Sequence, residues 1–390
     1  MELRKYREGD IDVLARLGVA AFGASVSDWE KNFDPSQNPR LDLEQVHVIE
    51  EDGEVRASTT VLPLESFVEG EPRPMGGISA VMAHPAYRRR GYAGELMRAV
   101  LHDMRERGVS LSLLAPFAHA FYRIFGYELA TEEIEYKLKP ADLPTSQEQR
   151  HLRAYREEDL SALMDLYTAE AKRHTLSVRR SEGHWKKSLA DKDTDAAVYE
   201  RDGDVEGYIL YKISGWQDRD PRRILSVEEI VAATPHAREA LLSFMAGLDP
   251  LVYGIKHFTP RGEPLHPYLR SSHVDAKIEP DQMLRLVDVE GALGYLGRVS
   301  AQLVLDVSDD VIPENAGEYT IGDGKIVRGA EAGESVSLDV RQLAQLYAGY
   351  LPARELARHG LVRASSPEAL DLLEELFPLG DPWLFGPDHF

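Results

Sequence analysis

The sequence has 390 residues, of which 43% are hydrophobic and 28% charged, a balance typical of several folded domains rather than of a disordered chain. It contains no cysteine, which excludes disulfide bonds, thiolate catalysis and cysteine zinc sites. The net charge of −21 opposes nucleic-acid binding and favours cationic small molecules, and no apolar stretch is long enough to span a membrane. We therefore expect a cytoplasmic protein with no nucleic-acid partner and no membrane span.

The first part of the chain is repeated in the second. Residues 3–17 and 152–166 are identical at eight of fifteen positions, and an Asp-Gly pair typical of a hairpin turn recurs at an offset of 150. Each copy is predicted to begin with a strand, a helix capped by Asp10 or Asp159, and an antiparallel hairpin. A period of this length corresponds to a whole domain, so the sequence predicts two copies of one fold.

A basic turn lies between an extended segment and a helix in the first copy. The extended segment ends near Pro85, and a helix with one apolar face begins near Gly91. Between them lie three consecutive arginines, Arg88, Arg89 and Arg90, in an otherwise acidic chain. Because a helix N-terminus offers free backbone N–H groups and a positive dipole end, this segment predicts a phosphate or pyrophosphate site.

After about residue 290 the pattern changes to short strands followed by helices. Strands are predicted at 302–307, 318–321, 325–328 and 336–340, with a hairpin turn at Asp323-Gly324 and helices at 341–350 and 367–376. The chain is thus expected to be α+β (mixed α/β), with domains at 1–145, 146–288 and 289–390. The last ten residues are rich in aromatic side chains, and we expect them to be docked rather than disordered.

Two segments of the first copy resemble the GNAT N-acetyltransferases. Residues 88–93, Arg-Arg-Arg-Gly-Tyr-Ala, match the Arg/Gln-x-x-Gly-x-Gly/Ala loop that holds the pyrophosphate of acetyl-CoA in that family. Residues 121–127 resemble the family's Phe-Tyr-x-x-x-Gly-Phe/Tyr segment, whose tyrosine lies near the thiol end of the cofactor. Since both segments occur in the family's order, a GNAT fold is expected for the first domain and, through the repeat, for the second.

The layout of the whole chain resembles the Eis (enhanced intracellular survival) family, in which two tandem GNAT domains precede a sterol-carrier-like α+β domain. The resemblance implies acetyl-CoA as co-substrate, a homohexamer, and a C-terminal carboxylate, here that of Phe390, that reaches the active site. The implied activity is N-acetyl transfer to a primary amine of a cationic acceptor, which could be an aminoglycoside, a polyamine or a lysine-like amine.

The resemblance also assigns roles to individual residues. Tyr122 would be the general acid that protonates the sulfur of coenzyme A, and the α-carboxylate of Phe390 would be the general base. Trp29, Ala80 and His389 would lie at the acceptor, although Ala80 and His389 replace the aromatic and acidic residues expected of aminoglycoside-acetylating members. The pantetheine arm of the co-substrate would be held by backbone groups of Val81, Met82 and Ala83, and its pyrophosphate by Arg88, Arg89, Arg90, Gly91, Tyr92, Ala93 and Gly94.

The second copy is predicted to have lost this chemistry. Residues 231–240 contain no basic, glycine-bearing turn, so we expect this domain to bind no acetyl-CoA and to line the substrate channel. His257, His266 and His273 lack the helical spacing of metal ligands, and no metal is expected. Two alternatives stay open from the sequence: an acetyl-CoA sensor without turnover, and a lipid or small-molecule binding protein in which the sterol-carrier-like domain is the working part.

Overall fold

The computed structural model describes residues 1–214, 223–296, 302–322, 324–329 and 333–390. They form two compact units. The first comprises Met1–Ala130, Asp281–Gly380 and Phe390, and the second comprises Thr131–Pro280 and Asp381–His389. Within these described ranges, no helix combines the length and the apolar character needed to cross a membrane.

The elements follow one another in three stretches of the chain. The first stretch contains β1 (Glu2–Lys5), α1 (Ile11–Phe22), α2 (Val26–Asn32), β2 (Val46–Glu51), β3 (Glu54–Val68), β4 (Glu71–Ala83), α3 (Tyr92–Glu106), β5 (Leu111–Leu114), α4 (His119–Arg123) and β6 (Glu128–Leu129). The second contains β7 (Glu132–Leu138), β8 (Leu152–Ala154), α5 (Leu160–Ala171), α6 (Glu182–Leu189), β9 (Thr194–Arg201), β10 (Asp204–Ile213), β11 (Arg223–Ala232), α7 (Pro235–Ala246), β12 (Val252–Pro260) and β13 (Asp275–Pro280). The third contains β14 (Met283–Leu286), α8 (Val289–Leu293), β15 (Leu303–Ser308), β16 (Gly317–Gly322), β17 (Lys325–Arg328), β18 (Glu334–Asp339), α9 (Val340–Tyr347), α10 (Ala353–Arg358), β19 (Val362–Ala364) and α11 (Pro367–Leu376).

Helix α3 covers the main sheet of the first unit, whose strand order is β1-β2-β3-β4-β5-β14-β6. The apolar side chains of this helix recur at helical spacing and are fully buried, among them Leu96, Met97, Val100, Leu101 and Met104. The helix approaches the sheet closely at Gly76, where a Cβ atom would lie 2.1 Å from the sulfur of Met104. This packing fixes the start of α3 relative to the end of β4.

The second unit repeats this sheet, in the order β13-β7-β12-β11-β10-β9-β8. Strand β7 lies between β12 and β13, although in the sequence it follows the first copy. Strand β14, which follows the second copy, lies between β5 and β6 of the first unit. The two compact units therefore differ from the expected boundaries at 145 and 288, because pairing across each sheet, rather than order along the chain, decides where these two strands lie.

The two copies share a buried ion pair that was not predicted. Arg4 donates to both carboxylate oxygens of Asp10 at 2.7 and 3.0 Å, and Arg153 donates to those of Asp159 at 2.7 and 2.8 Å. Both aspartates occupy the N-cap position, as expected, but neither carboxylate bonds to the amides of its helix. The prediction of side-chain capping was wrong here, because an arginine on the first strand of each copy binds the carboxylate instead.

The third stretch adds a sheet in the order β17-β16-β15-β18-β19 to the first unit. The four strands and two helices predicted there are present, with small shifts in their bounds. Strands β16 and β17 are antiparallel neighbours, while Asp323, predicted to lie in their turn, falls outside the described residues. Ile312 joins the apolar cluster beneath α3, so this part shares a core with the first sheet.

Candidate active site

Strands β4 and β5 are paired over only part of their length. Their parallel pairing ends at Gly77 and Leu113, after which β4 continues to Ala83 while β5 ends at Leu114. Beyond that point the edge of β4 that faced β5 is not paired with it. A ligand with amide groups can bind such an edge as an added strand.

A bulge redirects β4 just past this divergence. Thr60 pairs with Ser79 and Ser58 with Met82, so two residues of β4, Ala80 and Val81, lie opposite one residue of β3. Ala80 has φ +53°, in the left-handed region that non-glycine residues rarely adopt. The bulge therefore marks a locally strained backbone where the two strands separate, which is common next to binding sites.

The arginine turn connects the end of β4 to the N-terminus of α3. Arg88, Arg89 and Arg90 are exposed, and Gly91 is the N-cap residue, with φ +88°. Gly91 offers no capping side chain, and the first amide bonded within the helix is that of Glu95, which donates to Gly91 O at 3.0 Å. The amides of the first turn are thus directed out of the helix end, beside three positive charges. This is the arrangement that binds a phosphate group.

A cavity of about 730 Å³ extends from this turn along the free part of β4. Nine of the ten residues predicted to hold the co-substrate line it; Met82 does not, because its side chain is buried in the apolar core. The Tyr92 hydroxyl donates to Glu51 at 2.6 Å. Sequence reasoning missed a further set of lining residues, namely Ala21, Phe22, Tyr87, Arg98, Phe117, Phe121, Ile124 and Phe125.

Tyr122 lies on α4, directly beside this cavity's aromatic wall. Its ring contacts Phe121 and Phe117 with centroid distances of 5.0 and 5.3 Å, and the side chain is only 3% exposed. Burial raises the pKa of the Tyr122 phenol above its ordinary value. The phenol therefore holds its proton at neutral pH, as a proton donor must.

The C-terminal residue packs where β4 and β5 diverge. A Cβ atom on Gly77 would lie 2.9 Å from two ring atoms of Phe390 and 2.8 Å from Leu64, so only glycine leaves room for this ring. Gly77 is the last residue of β4 that pairs with β5. The structure thus brings the terminal residue to the same part of the first unit as the cavity and Tyr122.

The residues before Phe390 are held in the second unit by a buried cluster. Arg180 donates to Asp388 from Nε at 2.7 Å and from Nη2 at 2.9 Å, and its other contacts include Glu229. Tyr167 donates its hydroxyl to Asp388 at 2.7 Å. Burial alone would raise the pKa of the Asp388 carboxyl, but the charge and hydrogen bonds of Arg180 outweigh it and lower that pKa. His389, by contrast, is exposed.

Replacing Arg180 by methionine should lower the free energy of unfolding of the second unit by about 3–5 kcal/mol, because two buried carboxylates lose their counter-charge. The neighbouring exposed arginine gives a matched control, and Arg179→Met should change this free energy by less than about 0.5 kcal/mol. Urea titrations of both variants measure the difference. Equal losses in the two would contradict the ion-pair explanation.

Trp29 packs against α1 from its position on α2. A Cβ atom on Gly18 would lie only 2.2 Å from the indole ring, and Nε1–H donates to the carbonyl of Gly23 at 2.9 Å. Trp29 and Ala80 both border one apolar cluster of the first unit, and neither is among the residues that line the 730 Å³ cavity. Their contact with the acceptor therefore stays a prediction.

The second copy differs at the corresponding helix start. Helix α7 begins at Pro235, and its N-cap residue Thr234 accepts a hydrogen bond from the amide of Ala237 at 3.2 Å. The helix end therefore caps itself with its own side chain, where the first copy has a glycine and three arginines. Proline also removes one of the amide donors that an anion would use.

Comparisons with known proteins identify the class of this fold. An acetyltransferase (GNAT) domain model matches residues 2–130, a second GNAT model matches 176–286, and a sterol carrier protein domain model matches 289–385. An uncharacterized N-acetyltransferase of Streptomyces coelicolor is 26% identical over 400 residues, with 95% of each chain covered. One from Streptomyces avermitilis is 26% identical over 339 residues, covering 81% of this chain and 82% of its own length. The chain is therefore a GNAT N-acetyltransferase.

Solved structures share the fold of the whole chain. A GCN5-related N-acetyltransferase from Anabaena variabilis superposes with a TM-score of 0.87 at 24% identity, and Eis1 from Mycobacterium abscessus with 0.79 at 23%; both cover all of each chain. At these identities the likeness concerns the fold. Together with the domain matches, it confirms the predicted resemblance in layout: two GNAT domains followed by a sterol carrier protein domain, in a fold that Eis1 shares. The predicted fold class is confirmed as well, and the enzyme is favoured over the two binding-protein alternatives.

Proposed function

We propose that the first unit transfers the acetyl group of acetyl-CoA to a primary amine of a cationic acceptor. The observation that carries the proposal is the 730 Å³ cavity, which joins the arginine turn, the start of α3 and the free edge of β4. A long ligand with an anionic end and an amide-containing arm fits these features in that order. Coenzyme A thioesters have this chemistry.

Each residue then has a defined task. Acetyl-CoA would supply the activated acetyl group as its thioester. Arg88, Arg89 and Arg90, with the first amides of α3, would bind the pyrophosphate. Tyr122 keeps its proton at neutral pH and would donate it to the departing sulfur as the amine nitrogen bonds to the acetyl carbon. The α-carboxylate of Phe390 would accept the proton that the amine loses, directly or through one water molecule.

The acceptor is proposed to be a cation because the protein is negatively charged. The chain has a net charge of −21, and a terminal carboxylate at the reacting centre would attract an ammonium group. Aminoglycosides, polyamines and lysine-like amines all meet this requirement. The exposed His389 at the penultimate position adds no negative charge, which favours acceptors with few ammonium groups over aminoglycosides.

Release of coenzyme A thiol tests the proposal directly. Acetyl-CoA is incubated with polyamines, aminoglycosides, lysine peptides and simple amines, and the thiol is titrated; the enzyme has no cysteine, so it contributes no background. Thiol release that depends on the acceptor establishes the transfer and identifies the acceptor class. Absence of release with every acceptor, while acetyl-CoA still binds, would contradict the proposed transfer to cationic amines.

One acetyl-CoA should bind per chain, because only the first copy has the arginine turn. Isothermal titration calorimetry measures this number. In the same experiment, Arg90→Met should weaken the binding of acetyl-CoA, because the variant loses a proposed contact with the pyrophosphate. The matched control is Arg238→Met, which removes an arginine near the start of α7 in the second copy and should leave the affinity for acetyl-CoA unchanged. Two molecules bound per chain would overturn the assignment of the second copy.

A homohexamer in the cytoplasm is part of the same proposal and rests on the resemblance to the Eis family. Light scattering of the purified protein measures the oligomeric state. A mass equal to that of one chain would contradict the hexamer without affecting the assignment of the active site.

A further inference from the structure

The second unit contains a small cavity where its own central strands diverge. Strands β11 and β12 pair in parallel as far as Val227 and His257, and both then continue without pairing to each other, whereas in the first unit β4 continues past its last pair with β5 and β5 ends one residue later. The cavity between them measures about 70 Å³, enough for an ion and a few water molecules. Its lining is mostly apolar, but it includes the carboxylates and imidazoles of Glu170, His174, Glu228, Glu229, His257 and Glu263.

Three of these side chains converge on one point. One ligand atom each from Glu170, His174 and Glu263 lies within 4.8 Å of the other two. Glu170 lies near the end of α5. His174 comes four residues after Glu170, just past the end of that helix, and Glu263 lies just past the end of β12. One imidazole nitrogen and two carboxylate oxygens are ligands that Zn²⁺ accepts in proteins.

The orientation of His174 suits a metal ligand. Its Nδ1 lies 2.9 Å from the backbone oxygen of Asp381, and since a carbonyl only accepts hydrogen bonds, Nδ1 carries a proton. The other ring nitrogen, Nε2, faces Glu170 Oε1 at 3.2 Å. Burial alone would lower the pKa of the His174 ring, but its contacts with Glu170 and Asp381 together outweigh burial and raise that pKa, so a cation bound at Nε2 would displace a proton. Metal-binding histidines usually donate their second N–H to a backbone carbonyl or a carboxylate in this way.

A second, independent feature of the same cavity is an unsatisfied histidine. His257 lines the cavity and is 7% exposed, and its Nδ1 has no hydrogen-bond partner among the described residues. Thr259, two residues further along β12, also lines the cavity, and its hydroxyl is likewise unsatisfied within the described part of the chain. Buried polar groups without partners are rare in folded proteins and indicate an ion or water molecule that completes them.

Two arginines contact the carboxylates. Arg173 bridges them, donating from Nη1 to both oxygens of Glu170 at 2.9 Å and from Nη2 to Glu263 at 3.3 Å, and Arg238 donates from Nη2 to Glu263 at 3.3 Å. Metal-ligating carboxylates are commonly fixed by such outer hydrogen bonds. The two guanidinium charges balance those of the two carboxylates, so the site can hold at most one divalent ion.

We propose that Glu170, His174 and Glu263 bind one Zn²⁺ ion in the second unit, with a water molecule as the fourth ligand. The ion would join α5, the segment after β12 and, through the carbonyl of Asp381, the beginning of the C-terminal segment 381–389. Trp383 and Phe385 of that segment line the same cavity. The role of the ion is structural, and the proposal is independent of the acetyl-transfer function.

Zinc titration of the full-length, chelator-treated protein tests the site. Calorimetry should give one Zn²⁺ per chain, and Co²⁺ at the same stoichiometry should give the visible absorption of a tetrahedral site. His174→Gln and Glu263→Gln should weaken zinc binding by about 100-fold or more, since even outer hydrogen-bond partners contribute about 10–100-fold. Glu228→Gln, which removes a carboxylate of the same cavity outside the three, should leave the affinity unchanged.

Each other outcome contradicts the proposal. If the native protein binds no zinc, or if His174→Gln and Glu263→Gln bind it as the native protein does, the cluster is an ion-pair network without a metal. If Glu228→Gln weakens binding as much as the other two, the ion is held at a different point of the cavity. Should the variants fail to fold, the stoichiometry and the Co²⁺ spectrum of the native protein decide the question.

Discussion

Replacing Tyr122 by phenylalanine should lower kcat by about 10²–10⁴-fold, the usual contribution of a general acid. The phenyl ring keeps the contacts with Phe117 and Phe121, so the affinity for acetyl-CoA and the fold should be unchanged. The decrease should therefore appear in kcat rather than in KM, because the hydroxyl acts only as the carbon–sulfur bond breaks. Thiol release at saturating acetyl-CoA measures it.

Tyr127 provides a matched control for this substitution. Its ring centre lies 6.2 Å from that of Tyr122, it is equally buried, and its hydroxyl shares a 2.7 Å hydrogen bond with Ser112. Tyr127→Phe should cost about 1 kcal/mol of stability, through the lost hydrogen bond, with little change in kcat. Equal decreases of kcat in the two variants would mean that the aromatic cluster, and not the Tyr122 hydroxyl, supports turnover.

The pH dependence provides a second test of the same assignment. Loss of the phenol proton would abolish the acid and lower the rate as pH rises through the pKa of Tyr122. Because burial raises that pKa above its ordinary value, this loss should begin only above about pH 10. The rate measured from pH 7 to 9 should therefore not decline through Tyr122. A decline there that disappears in Tyr122→Phe would contradict the buried, protonated phenol.

Local motifs predicted much of the lining of the cavity. The arginine turn and the start of α3 depend on neighbouring residues, and the seven residues from Arg88 to Gly94 all line it, as do Val81 and Ala83, which the family resemblance added; their binding of acetyl-CoA stays a prediction. Met82 differs because side chains alternate along a strand: Val81 and Ala83 face the cavity, so the side chain of Met82 between them faces the apolar core. Phe117 and Phe121, which form the aromatic wall of the cavity, lie near Tyr122 in the sequence, but the family motif gives a role only to the tyrosine.

Long-range pairing was not predictable in the same way. Asp388 is buried because Arg180 lies opposite it, 208 positions earlier in the sequence, and nothing beside either residue indicates the other. The exchange of β7 and β14 likewise depends on which strand completes each sheet. The spacing of Glu170 and His174, four residues apart, is visible in the sequence, but only the fold brings Glu263 beside them.

Adding one glycine after Phe390 should lower kcat by about 10²-fold or more. The extension keeps every native side chain and moves the terminal carboxylate by one residue, about 3.5 Å. A general base must lie within hydrogen-bond reach of the proton that it accepts, so a shift of this size should remove its contribution. The affinity for acetyl-CoA, measured by calorimetry, should not change, because its proposed ligands lie on β4 and α3.

Two substitutions separate the carboxylate of Phe390 from its ring. Phe390→Leu keeps a terminal carboxylate at the same position and should retain more activity than the extended chain. Gly77→Ala changes neither end of the chain, but its Cβ would lie 2.9 Å from the ring of Phe390, so the terminal residue must move. We expect Gly77→Ala to reduce kcat with native acetyl-CoA affinity. Full turnover in the glycine-extended chain would refute the carboxylate as the base, since no other change accompanies the extension.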